Sequence, residues 1–592
     1  MKAVSQNYTE VMNQVVRPTS KFQASIEMID RSVEGDATVT TSETTSFSSG
    51  VLDKVHECDY AIFDQDFIKV GSDLRILPAS STQYLKNGYV SSVICDENGV
   101  FQEIPIIEVQ FGSVRSFIAM TYEFGMEYPT QIRVTYYLEG KSRGQFTTTP
   151  NSTSYTDATH HIGDCDKITF EFLSMSKPFY RLRVGRIIFG YEKTFETSDI
   201  ISTDHTMSID PLSSSLPYEK IAIKVSNHNR DYNPDNPHGI WEFFTNGMPI
   251  SIRYGVNSSG VTEWVEAGRL FLSDAPTVDG ATATFNAVDI LSTLTDDYYK
   301  GVWRPNGVSL YDLATEVLLD AGITEYLLDE SLKQIATVAP LPIIPHRECL
   351  QLIANAGECV LYTNPKGKIV IEKQILNEVP CDYYLDFSKM FDKPVVKKTE
   401  ELKSVDVSVH TLTVEDELTE LSKYTDIEVY GEQEVRVEYV TATDVEAIVE
   451  GGEIISATYY ATTAILNIRA ESMVNIVVQG NKIIDDTSIV RTKVNNRGEI
   501  CPLENPLITN DSRAKSVGEW VASYLSSRNT YEANFRQDFA LDVNDVIRIR
   551  SEFEENIPAR VTKLRYKLPG QQGSINVRRV SDGVGYTKNK LG

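Results

Sequence analysis

The sequence predicts a mainly β chain with a smaller α+β part. Three observations lead there: many short runs of alternating apolar residues, turn chemistry between them, and helical periodicity confined to a few stretches. At 592 residues the chain exceeds the roughly 100–200 residues of one domain, so several cores are expected. Its 30 Tyr and 23 Phe are the stock of a folded protein, since disordered chains are poor in aromatics.

In chain order, Phe22, Ala24, Ile26 and Met28 alternate as one strand. Residues 33–50 are so rich in Thr, Ser, Glu and Gly that a linker or exposed loop is expected, and 1–50 form strand plus linker. The block 51–191 is expected to be an inserted β-sandwich or jelly roll. Its strands over 106–111, 117–122, 132–137, 168–172 and 182–189 are separated by turns such as Asp96-Glu97-Asn98-Gly99.

Residues 192–300 are expected to make a β-barrel. Ile221, Ile223 and Val225 alternate, 249–254 follow, and 268–273 should pair with 281–287 across Asp279-Gly280. The Asn-, Asp- and Pro-rich stretch 227–239 reads as a shaped loop. An α+β middle domain, 301–394, opens with the capping-box form Ser309-Leu310-Tyr311-Asp312, and Gly322 stops that helix. A second helix over 346–356 leads to a hairpin through Asn364-Pro365-Lys366-Gly367. Residues 395–592 return to β as a second barrel. Helix 511–527 interrupts it, with Ala514, Val517, Trp520 and Val521 on one stripe.

The net charge of −27 repels a polyanion, so sequence-specific nucleic-acid binding is not expected. No signal peptide opens the sequence and no run of about 18 apolar residues occurs, so no membrane insertion is expected. Seven cysteines without a CxxC fit neither a disulfide framework nor structural zinc. No metal or cofactor is expected.

Candidate chemistry weighs toward structure. HExxH, GxSxG, GxxxxGK[ST] and a strand-following GxGxxG are all missing. His160 and His161 would point to opposite faces of a strand. Cys349 follows His346 by three residues but shares a face with Leu352 and Ile353, as a core thiol would. Asp296-Asp297-Tyr298-Tyr299 joins acids to rings, as glycosidases do, yet in so acidic a chain such acids are usually solvated. Asp96, Asn98, Asp164 and Asp166 carry calcium-type oxygens without EF-hand spacing and read as turn caps. The expectation is a protein that is not an enzyme. Among the aromatics of 51–191, Tyr122, Tyr128 and Tyr155 are candidates for stacking on a glycan, although alternation sends about half of such rings inward.

The order of segments carries a resemblance. The strand after Pro217, the loop Asn233-Pro234-Asp235-Asn236-Pro237, and Trp264, Gly268, Leu270 and Leu272 running into Asp289 resemble the first barrel of bacteriophage tail baseplate hub (tail-tip hub) proteins. The segment bearing Arg17 and Ile26 looks like the rest of that barrel. The resemblance extends through 309–373 and through Asn505-Pro506-Leu507-Ile508 and Leu541-Asp542-Val543-Asn544-Asp545. Block 51–191, with Asn87-Gly88-Tyr89-Val90-Ser91 and Tyr180-Arg181-Leu182-Arg183, is similar to galactose-binding-like jelly rolls of the discoidin type, which often bind glycans.

This resemblance implies a homotrimer whose two barrels per chain form a pseudo-six-fold ring, adapting a six-fold tail tube to a three-fold tip. It implies a distal tail protein and a tape-measure protein as partners, and a lumen that serves as a DNA exit channel. The location implied is the virion tail tip, assembled in the host bacterial cytoplasm. The alternative is a glycan-binding host-recognition tail protein acting through 51–191. A cell-wall hydrolase comes third, on acid content alone.

Overall fold

A computed structural model describes residues 1–29, 33–41, 89–125, 127–213, 216–236, 239–258, 260–376 and 380–580. The chain is mainly β, as its alternation predicts, and divides into two units: Ser25–Thr194, and Met1–Ala24 with Phe195–Gly592. Residues 51–88, including Asn87 and Gly88, lie outside the described residues.

The Ser25–Thr194 unit sets two antiparallel sheets over one core. One sheet contains Ala37–Thr41, Ile106–Phe117, Ile162–Met175, Pro129–Leu138 and Lys141–Thr148. Facing it, Arg181–Phe195 pairs with Tyr89–Ile94 and Met120–Phe124, and the latter with Ser154–Asp157. Inward residues such as Val109, Ile132, Phe170, Leu182 and Ile187 fill the space between them, the alternation expected of a sandwich. The linker expected over 33–50 is corrected at its start. Val33–Asp36 is a helical turn, and Ala37–Thr41 is a strand in register Ala37↔Phe111 to Thr41↔Ile107. β-branched Thr and Val suit a pleated surface even where the segment is polar. Arg115 Nη2, 2.8 Å from Asp36, fastens that corner. Residues 42–50 fall outside the described set.

In the other unit, Ile200–Ser208 joins two sequence-distant β regions. Along one edge it pairs with Lys220–Ser226 (His205↔Ile221), and along the other with Ile557–Leu568 (His205↔Tyr566). Lys220–Ser226 continues to Thr282–Val288, while Pro249–Ser258 pairs with Val261–Leu272. The hairpin expected between 268–273 and 281–287 is corrected. Asp279-Gly280 instead turns Thr277–Asp279 back onto Thr282–Val288, and Val261–Leu272 touches that strand only at Phe271↔Val288 and Leu272↔Ala287. The C-terminal β region runs Val546–Ile549, Ile557–Leu568, Gln572–Arg579, Asn529–Arg536 and Val395–Lys398 in neighbouring order.

The opening of the chain carries a helix that periodicity did not reveal, Gln6–Met12, capped by Ser5. Its Tyr8 hydroxyl donates to Asp538 (3.1 Å), and Arg17 donates to the Gln537 carbonyl (2.7 Å), so Met1–Ala24 is bound to the C-terminal β region.

Between the β regions, Leu310–Asp320 begins at Ser309, whose hydroxyl accepts the Asp312 N–H, and ends before Gly322 at φ +74. His346–Ala356 leads into the hairpin Cys359–Thr363/Ile369–Lys373, and Tyr326–Leu328 adds in parallel. Helix Asp511–Ser526 packs its Ala514, Val517 and Val521 stripe into this same core, together with Val405, Val407 and Val409.

Short strands expected over 404–409 and 427–430 are parts of one 27-residue strand, Leu402–Glu428, paired with Met473–Lys493 from Ser404↔Lys493 to Glu428↔Met473. The distal half of this ribbon, with Ala442–Glu450 and the sheet Gly431–Glu438/Thr463–Ala470/Glu453–Tyr459, encloses its own core of Val437, Leu466, Ile468, Ile476 and Val478.

Candidate functional site

The three glycan candidates occupy different environments. Tyr122 is 0% exposed, edge-on to Phe170, and its hydroxyl is raised well above the usual value by burial. A ring enclosed in the core cannot stack on a sugar, so Tyr122 is corrected to a packing residue. Tyr155, its cross-strand partner, and Tyr128 are half-buried against the same core.

The other residues singled out are in structural use. Cys349 is buried with its thiol pushed up to about 12, and its Sγ faces the Ile344 carbonyl. A thiol so protonated is no nucleophile at neutral pH. His346 directs Nε2 to Asp320 (2.9 Å) and Nδ1 to the Asp296 carbonyl (2.6 Å). Asp297 is exposed while Tyr298 is buried, so acid and ring do not share a face. His160 Nδ1 sits 2.8 Å from Asp157, and its ring stacks on Phe146. Asp96 accepts the N–H groups of Asn98 and Val100, both at 2.9 Å, and these bonds hold its carboxyl below the usual range. Asp166 accepts the Glu139 N–H (2.7 Å), and Asp164 the Ser116 hydroxyl (2.8 Å). Gly99, beside Asp96, is at φ +78 with a virtual Cβ 2.7 Å from the Met175 carbonyl, so only glycine fits that turn.

Two features escaped sequence reasoning. The first is at this same turn. Phe179 is 66% exposed at φ 61 and donates its N–H to the Asp96 carbonyl, with exposed Ile94 and Val100 also in this loop end. A phenylalanine held left-handed costs of order 1–3 kcal/mol, and burial does not repay it here. No local pattern in Lys177-Pro178-Phe179 announces this conformation.

The second is a buried polar junction in the other unit. His205 Nε2 lies 2.7 Å from Glu219 Oε1, and Nδ1 3.2 Å from the Tyr254 hydroxyl. Asp289 accepts from Glu219 N (3.0 Å), Ser292 N (3.0 Å) and the Thr363 hydroxyl (3.1 Å), so it caps Ile290–Thr293 and ties the middle hairpin to the first β region. Burial first, then nearby Asp542, pushes Glu219 up to about 8. Burial lifts Asp289 to about 7 and drives His205 down to about 3. The neutral pair is therefore a carboxylic acid donating to an uncharged imidazole. Gly268 leaves room for it, because a Cβ there would meet Glu219 at 2.6 Å. The adjoining recess is ≈ 10 Å³, about one water, too small for a substrate. The available signal was His205 at an inward position between Thr203 and Met207.

No family model and no curated protein matches the chain. Among solved structures it is similar to a tail protein from Neisseria meningitidis, at 8% identity and TM-score 0.39, over 65% of this chain and 94% of that one. It is also similar to the 43 kDa tail protein of prophage MuSo2 from Shewanella oneidensis, at 11% identity and TM-score 0.38, over 65% and 96%. A chitosan-binding module from Paenibacillus overlaps 16% of this chain and 70% of its own, at 12% identity and TM-score 0.14.

Proposed function

We propose that the chain is a structural component of a phage tail tip, a trimeric hub that adapts a six-fold tube to a three-fold tip and lines part of the DNA exit path. The observation that carries this reading is the edge-to-edge union of two sequence-distant β regions through Ile200–Ser208 and Ile557–Leu568, around a middle core. Two β regions in each of three copies would present six to a six-fold partner. The side chains best suited to catalysis support the same reading, being committed to capping and packing. The partners on this reading are a distal tail protein and a tape-measure protein, and the net charge of −27 keeps a passing duplex from adhering. Light scattering tests it. A particle of three times 66.4 kDa that co-assembles with its neighbouring tail proteins is expected, and a monomer that joins none of them would refute it.

One observation favours a second role for the Ser25–Thr194 unit, glycan contact through its loop end. Phe179 is the exposed, conformationally held ring there. Glycan-array binding that is lost in Phe179→Ala is the expected outcome, and binding that survives the substitution would remove Phe179 from the role.

A further inference from the structure

We propose that a groove on the C-terminal β region is the docking site for a second copy of this chain, which inserts the acidic bulge Glu415-Asp416-Glu417-Leu418 of its long ribbon. The proposal rests on the oligomeric part of the hub reading and names the surfaces that meet.

The groove has a volume of ≈ 810 Å³, room for a short peptide segment, and is lined by Val15, Phe391, Arg536, Arg565 and Lys567 among others. Val15 is 89% exposed and Phe391 51% exposed. Val15 is held there, because Arg536 Nη2 donates to its carbonyl (2.8 Å) and to that of Gln14 (3.1 Å). Arg565 binds Asp204 through Nε at 2.7 Å. The Lys567 ammonium is exposed and has no ion-paired or hydrogen-bonded partner among the described residues. An exposed apolar patch rimmed by charge marks an interaction site, and here the rim is cationic in a chain of net charge −27.

The bulge is its complement. Ribbon pairing is regular to Val414↔Ile483 and resumes at Leu418↔Asn481, so three residues on one strand stand against one on the other. All four residues from Glu415 to Leu418 are exposed, Leu418 to 60%. The Glu415, Asp416 and Glu417 carboxylates have no ion-paired or hydrogen-bonded partner among the described residues. Asn481 Nδ2 donates to the Glu415 carbonyl (2.8 Å) and holds the shape. Between Glu415 and Glu453, thirteen residues are acidic and only Lys423 and Arg436 are basic, so the wider surface adds to the attraction of a cationic groove.

Both surfaces are exposed on one chain, so the bulge does not occupy its own groove and the two meet between copies. Such a contact is heterologous, groove of one copy to bulge of the next, and closes into a ring when the rotation permits.

The test uses the full chain with Lys567→Glu, which spoils the groove, and Glu417→Lys, which spoils the bulge. Sedimentation should show self-association of the parent weakened at least about tenfold in each variant, because like charges then face each other. It should also weaken from 50 to 500 mM salt as screening shortens. In an equimolar mixture the unaltered bulge of one variant meets the unaltered groove of the other, and the remaining contact pairs the two reversed charges, so mixed association through heterodimers should recover toward that of the parent. Leu418→Asp should weaken association at both salt concentrations. Self-association unchanged in both charge variants, or a mixture that forms no heterodimer, would overturn this contact and leave the hub reading standing. A parent chain that stays monomeric at every concentration would overturn both.

Discussion

The Ser25–Thr194 unit and the His205 junction of the other unit bury similar kinds of surface by different rules. In the sandwich, rings meet rings: Phe117 lies 4.6 Å from Phe189, and Phe111 is edge-on to Phe189 at 5.4 Å. At the junction, Tyr254 stacks on Phe539 at 4.3 Å, yet the same cluster encloses an imidazole and a carboxyl. The difference is one of dependence. Apolar packing is insensitive to pH, whereas a buried acid is stable only while it keeps its proton.

The largest test of this contrast is Phe170→Ala in the sandwich, where loss of a fully buried ring should cost about 3–5 kcal/mol at any pH. Hydrogen exchange of peptides from each unit would localise the loss to Ser25–Thr194. At the junction, Glu219→Ala deprives His205 of its partner and should cost about 1–3 kcal/mol, seen as faster exchange in Ile200–Ser208. An equal loss of protection in both units would break the comparison.

A pH series sharpens it further. Glu219 and Asp289 keep protons in the folded chain that the unfolded chain releases above about 4.5 and 3.8. Their stabilisation is therefore complete at low pH and lost as pH rises toward about 8 and about 7. His205 acts oppositely, since the unfolded ring takes up a proton below 6.5 that the folded ring refuses until about 3, so its contribution is lost as pH falls. Between pH 6.5 and 8 the carboxyls alone act, and the melting temperature of this unit should fall. Glu219→Gln should flatten that fall, while the sandwich transition should not move. The smallest effects belong to its loop end. Asp96→Ala should lower the denaturant midpoint of that unit only slightly, through the lost turn bonds. Phe179→Ala should stay within about 0.5 kcal/mol of the parent in denaturant unfolding.

Local pattern made several elements legible. Ser309 and Gly322 bound their helix because capping is settled within one turn. Inward alternation at Phe22, Ala24, Ile26 and Met28 made a strand because each of those side chains is removed from water. Asp96 was legible as a turn cap for the same local reason. Tyr122 was not, because alternation identifies two faces without saying which one the second sheet covers. Leu402–Glu428 was broken into short strands because, beyond Val409, the face that packed on the middle core becomes solvated and its apolar signal fades.

The amino-acid sequence alone determined the mainly β class, the places of the three longer helices and the surplus of negative charge, all of which depend on neighbours a few residues apart or on simple totals. Only the tertiary structure decided that Ile200–Ser208 lies beside Ile557–Leu568, that His205 meets Glu219, and that Tyr122 faces inward. Those outcomes depend on which distant surface arrives to exclude water, and no local window of residues contains that information.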